Sequence, residues 1–259
     1  MLALATSPAY RDLPPSQIVP RPLDEQNRYL ASASPMYRPL RQEKMAGHRE
    51  RSRPATRRRP DEHVATGANQ VWSWDITYLR SPIRGVFFFL YLMMDIWSRK
   101  IVGSAVHEAE SSAHAAALFQ QACLHEGADP RGIVLHADNG APMKGATLLA
   151  TLQRLEVVTS FSRPRVSDDN PFSEALFRTM KYRPEFPDRP FASLEATREW
   201  VAAFVRWYNT HHRHSGICFV TPAQRHYGVD GDILQNRDAI YQQARAKNPG
   251  RWPTKPRSW

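Results

Sequence analysis

"GIVLHADNG", residues 132–140, is an apolar run of strand length, opened by a glycine and closed by the turn pair Asn139-Gly140. It is too short for a helix. Three strand-like segments precede it with no helix between them. They are "QVWSWDITYL" (70–79), "GVFFFLYLMMD" (85–95) and "KIVGSAVH" (100–107), the last two joined by the turn "IWSR". Consecutive strands with short links predict an antiparallel meander. After them comes "SSAHAAALFQQACLHEG" (111–127), a helix by its alanines and its terminal Gly127. "GIVLHAD" then begins an alternation: strand, helix "KGATLLATLQRL" (144–155), strand "EVVTSFS" (156–162). Alternation of this kind predicts parallel strands joined by crossovers. The expected fold class is α/β, a mixed five-stranded sheet with helices on both faces. Two further helices follow, "NPFSEALFRTMKYR" (170–183) with Asn170 as N-cap, and "SLEATREWVAAFVRWYNTHH" (193–212).

The chain has 259 residues, a formal net charge of +10 and a pI near 9.9. Such a balance favours a polyanionic partner, nucleic acid before anionic membrane. The charge is concentrated: nine Arg/Lys against two Glu lie between Arg38 and Arg59. Two cysteines give no disulfide framework, and "MLALATSPAY" lacks the pattern of a signal peptide, so a cytoplasmic protein is expected. The most apolar run, "VFFFLYLMM", is far shorter than the roughly 20 residues a membrane span needs. Four segments are expected. Residues 1–45 hold short helices, "SQIVPRPLDEQNRYL", interrupted by Pro20 and Pro22, and "SPMYRPLRQEKM", with Ser34 as N-cap. Residues 46–66 are an Arg/Pro-rich basic linker, 67–228 the folded core, and 229–259 a basic tail.

Three carboxylates stand out, although each has a plain reading of its own. Asp75 lies inside the first strand between Trp74 and Ile76, where an ionisable group is costly unless paired or holding metal. Ser73, Asp75 and Thr77 share one face and Trp72, Trp74, Ile76 and Tyr78 the other; alone, Asp75 could simply bond backbone at the sheet rim. Asp138 could be a turn residue, but it lies at the carboxyl end of a strand, where α/β sheets place ligands. Glu174 could be an exposed acid favoured by a helix N-terminus. Phe172, Ala175, Leu176, Thr179 and Met180 are expected on that helix's inward stripe, with Asn170, Glu174, Arg178 and Lys181 on a polar one. Together the three acids suit a hard cation such as Mg²⁺ or Mn²⁺. Two such ions serve phosphoryl transfer, and the basic composition supplies a phosphodiester substrate.

The stretches "WSWDITYL", "LHADNGAPM" and "SDDNPFSEALFRTMK", with 35 residues between Asp138 and Glu174, resemble the catalytic domain of retroviral integrases and bacterial insertion-sequence transposases. "DIWSRKIVG", "HRHSG" and "TPAQRHYG" resemble the second-reading-frame product of the insertion-sequence-three type. The resemblance covers about residues 65–228. It implies an RNase-H-like fold and Asp75, Asp138 and Glu174 as a catalytic, metal-binding triad with two Mg²⁺ or Mn²⁺ ions. It further implies cleavage at DNA 3′ ends and strand transfer during transposition. Lys181, Arg178, Asn139, Arg163 and Arg165 are then the DNA-contacting candidates. Implied partners are terminal inverted repeats, target DNA, further copies of the chain and an upstream-frame helix-turn-helix product, whose final helices residues 13–45 resemble; the implied location is the bacterial cytoplasm at the nucleoid. A nuclease of the same fold without strand joining, or a non-catalytic DNA-binding remnant, are the competing readings. Asp95, Asp168, Asp169 and Glu185 are read as structural acids. The His211, His212, His214 and Cys218 cluster lacks the paired cysteines of a zinc site.

Overall fold

In the computed structural model, residues 2–10, 13–43, 63–138, 140–162 and 170–252 are described. Four short helices open the chain: α1 (Leu2–Ala5), α2 (Pro15–Ile18), α3 (Pro20–Gln26) and α4 (Ala33–Gln42). The interruption expected within residues 16–30 falls at Val19. Pro20 does not end a helix but begins α3, because a first-turn proline gives up only an N–H that has no partner there. Ser34 is not the cap of the next helix: α4 starts at Ala33, and the extended Ser32 holds the N-cap position. Residues 44–62, most of the expected linker, lie outside the described residues.

The sheet has the strands β1 (Val71–Arg80), β2 (Phe87–Asp95), β3 (Ile101–His107), β4 (Val134–Ala137) and β5 (Val158–Phe161) in the order β3-β2-β1-β4-β5. The first three pair antiparallel; β4 pairs parallel with β1 and β5 parallel with β4. This is the mixed sheet expected. Helix α5 (Ser112–Glu126) is capped by the Ser111 side chain and ends at Gly127 with φ 60°. It packs with α6 (Ala146–Arg154) on one face of the sheet, over Trp72, Trp74, Tyr91 and Leu135. Gly145, just before α6, permits a close approach: a Cβ there would lie 2.3 Å from Ser112 Cβ. The other face carries α7 (Pro171–Lys181) and α8 (Leu194–Thr210), which cover Leu79, Leu90, Leu92 and Met94 with Leu176, Met180, Phe204 and Tyr208. On α7 the inward residues are Ser173, Leu176 and Met180, with Phe172 and Phe177 against the same core; Ala175, expected inside, is exposed.

Two compact units emerge, residues 59–212 and residues 1–58 together with 213–259. In the second, the expected basic tail contains instead an 18-residue helix, α10 (Asp230–Lys247), preceded by α9 (Pro222–His226). Ile240 and Tyr241 of α10 pack on Ile18, Leu23 and Met36. Arg237 is fully buried: it grips Asp24 of α3 through two hydrogen bonds of 2.7 Å and donates to the Cys218 and Phe219 carbonyls. The apolar stripe of α10 has this arginine in its middle, which hides the helical period from a reading by hydropathy.

Candidate active site

Strand β1 presents Ser73, Asp75, Thr77 and Leu79 to α7 by its period of two. Three of the four are polar, and each polar one has a distinct partner. Ser73 Oγ donates to Asn170 Oδ1 (2.6 Å) and lies 2.9 Å from Ser173 Oγ. Lys181 Nζ donates to Thr77 Oγ1 at 2.7 Å. Helix α7 is thereby tied to β1 at both ends and runs along it, from Ser73 towards Thr77. Asp75 lies between the two ties on the strand, and Glu174 between them on the helix.

Asp138 comes to the same place through pairing. Ser73 is opposite His136 in the parallel β1–β4 ladder. The ladder ends there and β4 ends at Ala137, so Asp138 follows directly on the carboxyl end of the strand, near enough for its charge to act on Asp75. Asp138 Oδ1 also accepts the Gly140 N–H at 2.9 Å, so the residue closes its turn and still presents its carboxylate.

The electrostatics register the crowding. Asp75 Oδ1 accepts the Ile76 N–H. Burial first of all, and then the charges of Asp138 and Glu174, push the Asp75 carboxyl up to about 7, against the lowering effect of that N–H and of Lys181. The Lys181 ammonium is in turn pushed down by burial and held up in part by Asp75. Among the described residues, no three His, Cys, Asp or Glu side chains close on one point at ligating distance. The three carboxylates are within electrostatic reach without forming a finished cage. Their chemistry fits a hard divalent cation: all donors are oxygen, and a cation would offset the burial and the mutual repulsion that together raise the Asp75 carboxyl.

Of the other singled-out residues, Arg178 lies at 5.7 Å from the Tyr182 ring, on the exposed side of α7. Asn139, Arg163 and Arg165, with Asp168 and Asp169, lie outside the described residues. Asp95 is fully buried and structural: it accepts the Asn69 and Ser98 N–H groups and the Ser98 hydroxyl. Glu185 pairs with Arg183 at 2.7 Å. His212 stacks on Tyr208, and His214 Nδ1 accepts the Gly216 N–H. Sequence reasoning passed over Ser73, Thr77 and Ser173. The available signal was a strand face of Ser, Asp and Thr opposite a helix that is otherwise apolar on its inner side.

Two family profiles, both described as integrase core domain, match residues 65–167 and 155–222. The chain belongs to the integrase-core family. Within it, the transposase for insertion sequence element IS904 of Lactococcus lactis is 32% identical over 159 residues, 61% of each chain. Transposase InsF for insertion sequence IS3A of Escherichia coli is 31% identical over 164 residues, 63% of this chain and 56% of its own. Over the matched stretch this integrase core is similar to insertion-sequence transposases, and the chain spans about three fifths of the length of the curated relatives it matches. In structure it resembles a chain of the simian T-cell lymphotropic virus intasome, solved in complex with PP2A regulatory subunit B56 gamma. The TM-score is 0.50 at 20% identity, over 65% of this chain and 58% of the other. That likeness places the fold among the RNase-H-like integrase cores. No described helix is long and apolar enough to cross a membrane.

Proposed function

We propose that this chain is the catalytic subunit of a DNA transposase, with residues 67–228 as the catalytic portion. It cleaves DNA at the 3′ ends of an insertion sequence and joins those ends to target DNA. The observation that supports the reading is electrostatic: the charges of Asp138, just beyond the carboxyl end of β4, and of Glu174, on α7, both act on the carboxyl of Asp75 in β1. Asp75 and Asp138 together, with Glu174 completing the set, are the residues to hold Mg²⁺ or Mn²⁺, two ions in all. When bound, such ions activate water or a 3′-hydroxyl and stabilise the departing oxygen.

In the first reaction, water adds to phosphorus, the bond to the 3′-oxygen breaks, and the 3′-oxygen leaves and takes a proton. In the second, the freed 3′-hydroxyl attacks a target phosphodiester, loses its proton, and displaces the target 3′-oxygen. Lys181 and Arg178 sit along α7 beyond Glu174, where a strand whose scissile phosphate lies at the carboxylates can pass over them. Asn139, Arg163 and Arg165 flank the same strand ends in sequence and join this DNA-contacting set. Further copies of the chain, bound on paired DNA ends in the cytoplasm at the nucleoid, and an upstream-frame helix-turn-helix product complete the proposed assembly.

The test is strand transfer from a pre-cut terminal oligonucleotide with Mn²⁺. The wild type joins ends; Asp75→Asn, Asp138→Asn and Glu174→Gln lose both reactions while still binding DNA; Glu185→Gln keeps them. Hydrolysis without joining by the wild type would favour the nuclease reading, and full activity of Glu174→Gln would overturn the triad.

A further inference from the structure

The interface between the sheet and α7 is built on Leu79, Leu90, Leu92, Leu176 and Met180, and besides the Lys181–Thr77 contact at the far end of α7 it is broken by one buried polar cluster. There three polar side chains are buried together: Ser73 at 0%, Ser173 at 3% and Asn170 at 4% exposure. The Ser73 hydroxyl donates to Asn170 Oδ1 at 2.6 Å and meets the Ser173 hydroxyl at 2.9 Å. Asn170 Nδ2 donates to the Trp74 carbonyl at 3.3 Å, just past Ser73, the last β1 residue paired with β4. Asn170 occupies the N-cap position of α7, yet its side chain makes no cap hydrogen bond; it reaches across to the strand instead.

As stabilisers these groups are modest. A satisfied buried polar cluster gains little over apolar residues of the same shape, whereas a half-satisfied one is costly. What the cluster supplies is uniqueness. One strand hydroxyl must find residues 170 and 173 together, and a single rotation and a single translation of α7 along β1 achieve that. A slip of one residue would turn Glu174 by about 100° away from Asp75. Leucines on the same face would tolerate such a slip; the hydrogen bonds do not.

We propose that Ser73, Asn170 and Ser173 form a register lock, three positioning residues that fix helix α7 so that Glu174 faces Asp75. This inference rests on the reading of Asp75, Asp138 and Glu174 as the cation-binding set.

The experiment compares the full-length wild type with Ser73→Ala and with the double variant Ser73→Ala/Ser173→Ala. Three quantities are measured: thermal unfolding in EDTA, amide hydrogen exchange along α7 in EDTA, and Mn²⁺ affinity by titration calorimetry. The lock predicts unfolding midpoints within about 4 °C of wild type. It predicts exchange at residues 173–177 at least about tenfold faster, and Mn²⁺ affinity lower by about 10–100-fold, as when the support around a ligand is removed. Unchanged exchange overturns the lock, as does faster exchange with unchanged Mn²⁺ affinity. So does a large fall in midpoint with the affinity of the folded protein retained, which is the behaviour of a merely structural cluster. Ser73→Ala alone decides the matter if the double variant does not fold. A wild type that binds Mn²⁺ no better than Asp138→Asn removes the cation reading instead, and the exchange data then show separately whether the cluster sets the register.

Discussion

Asp75 shows at the scale of one residue what this site costs. Its carboxyl is raised to about 7 by burial and by its two acidic neighbours. The sign follows from linkage. Below about pH 4 both the folded and the unfolded chain hold this proton, so nothing is lost. Between about pH 4 and 7 the unfolded chain releases it and the folded chain keeps it, so stability falls as pH rises, and above 7 the full penalty stands. Asp75→Asn should therefore stabilise the protein in EDTA at pH 8, by about 1–3 kcal/mol, and by almost nothing at pH 4. Thermal unfolding at the two pH values measures this; equal shifts at both would show that the effect is not ionisation. Lys181 carries the second prediction at this scale. Its amine rests on the Thr77 hydroxyl, and the proposed function requires it to reach DNA phosphate. Lys181→Ala should keep the fold and lose end joining, while Lys181→Arg should keep part of it, since charge and reach survive although the geometry changes. Joining by Lys181→Ala at the wild-type rate across salt concentrations would make the residue surface decoration.

Among the elements, β1 and α7 place the chemistry, and α5 and α6 support the opposite side of the sheet. The start of α6 touches the start of α5 at Gly145, where an added Cβ would sit 2.3 Å from Ser112 Cβ, an atom fixed to its backbone. Gly145→Ala must push the two helices apart and should destabilise by about 1–3 kcal/mol, as overpacking does. A urea titration checks it, and a midpoint equal to wild type would mean that the helices yield freely. Most elements are legible in the sequence: all five strands, α5, α6, α7 and α8 lie where alternation, capping residues and glycines point. The differences are local. Counting apolar residues puts Ala175 on the inner stripe of α7, while Ser173 holds that position through hydrogen bonds that hydropathy does not register.

At the scale of the molecule, the ends of the chain fold together. Asp24 on α3 receives Arg237 from α10 and Arg213, all at 2.7 Å. Removing Arg237 leaves Asp24 with Arg213 as its cation, takes a donor from the Cys218 and Phe219 carbonyls and opens a cavity, so Arg237→Ala should cost about 2–4 kcal/mol, read by the disappearance of the Tyr29, Tyr241 and Trp252 ring-cluster signal in near-ultraviolet circular dichroism. An unchanged spectrum and unfolding midpoint would refute it. Truncating the N-terminal helices would remove Asp24 as well, so the basic arm is better tested by substitution. Replacing Arg51, Arg53, Arg57, Arg58 and Arg59 with Gln should lower the log–log salt slope of duplex DNA binding by about 0.9 for each phosphate no longer neutralised. An unchanged slope would place the arm off the DNA.

The sequence by itself determined the order and kind of the elements, because strand alternation, helix caps and turn residues act over a few positions. It also singled out the three acids: Asp75 because an ionisable group inside a strand of tryptophans is locally anomalous, and Asp138 and Glu174, each ordinary alone, because their positions and the 35 residues between them complete a resemblance to integrase motifs. Only the tertiary structure decided what lies opposite them. That Ser73 meets Asn170 and Ser173, that Thr77 holds Lys181, and that Asp24 is gripped by Arg237 are pairings between residues about 100 to 200 positions apart. In each, a polar group occupies a place where local pattern calls for an apolar one. Its burial is tolerable only because a distant partner completes its hydrogen bonds, and that completion is a property of the folded chain.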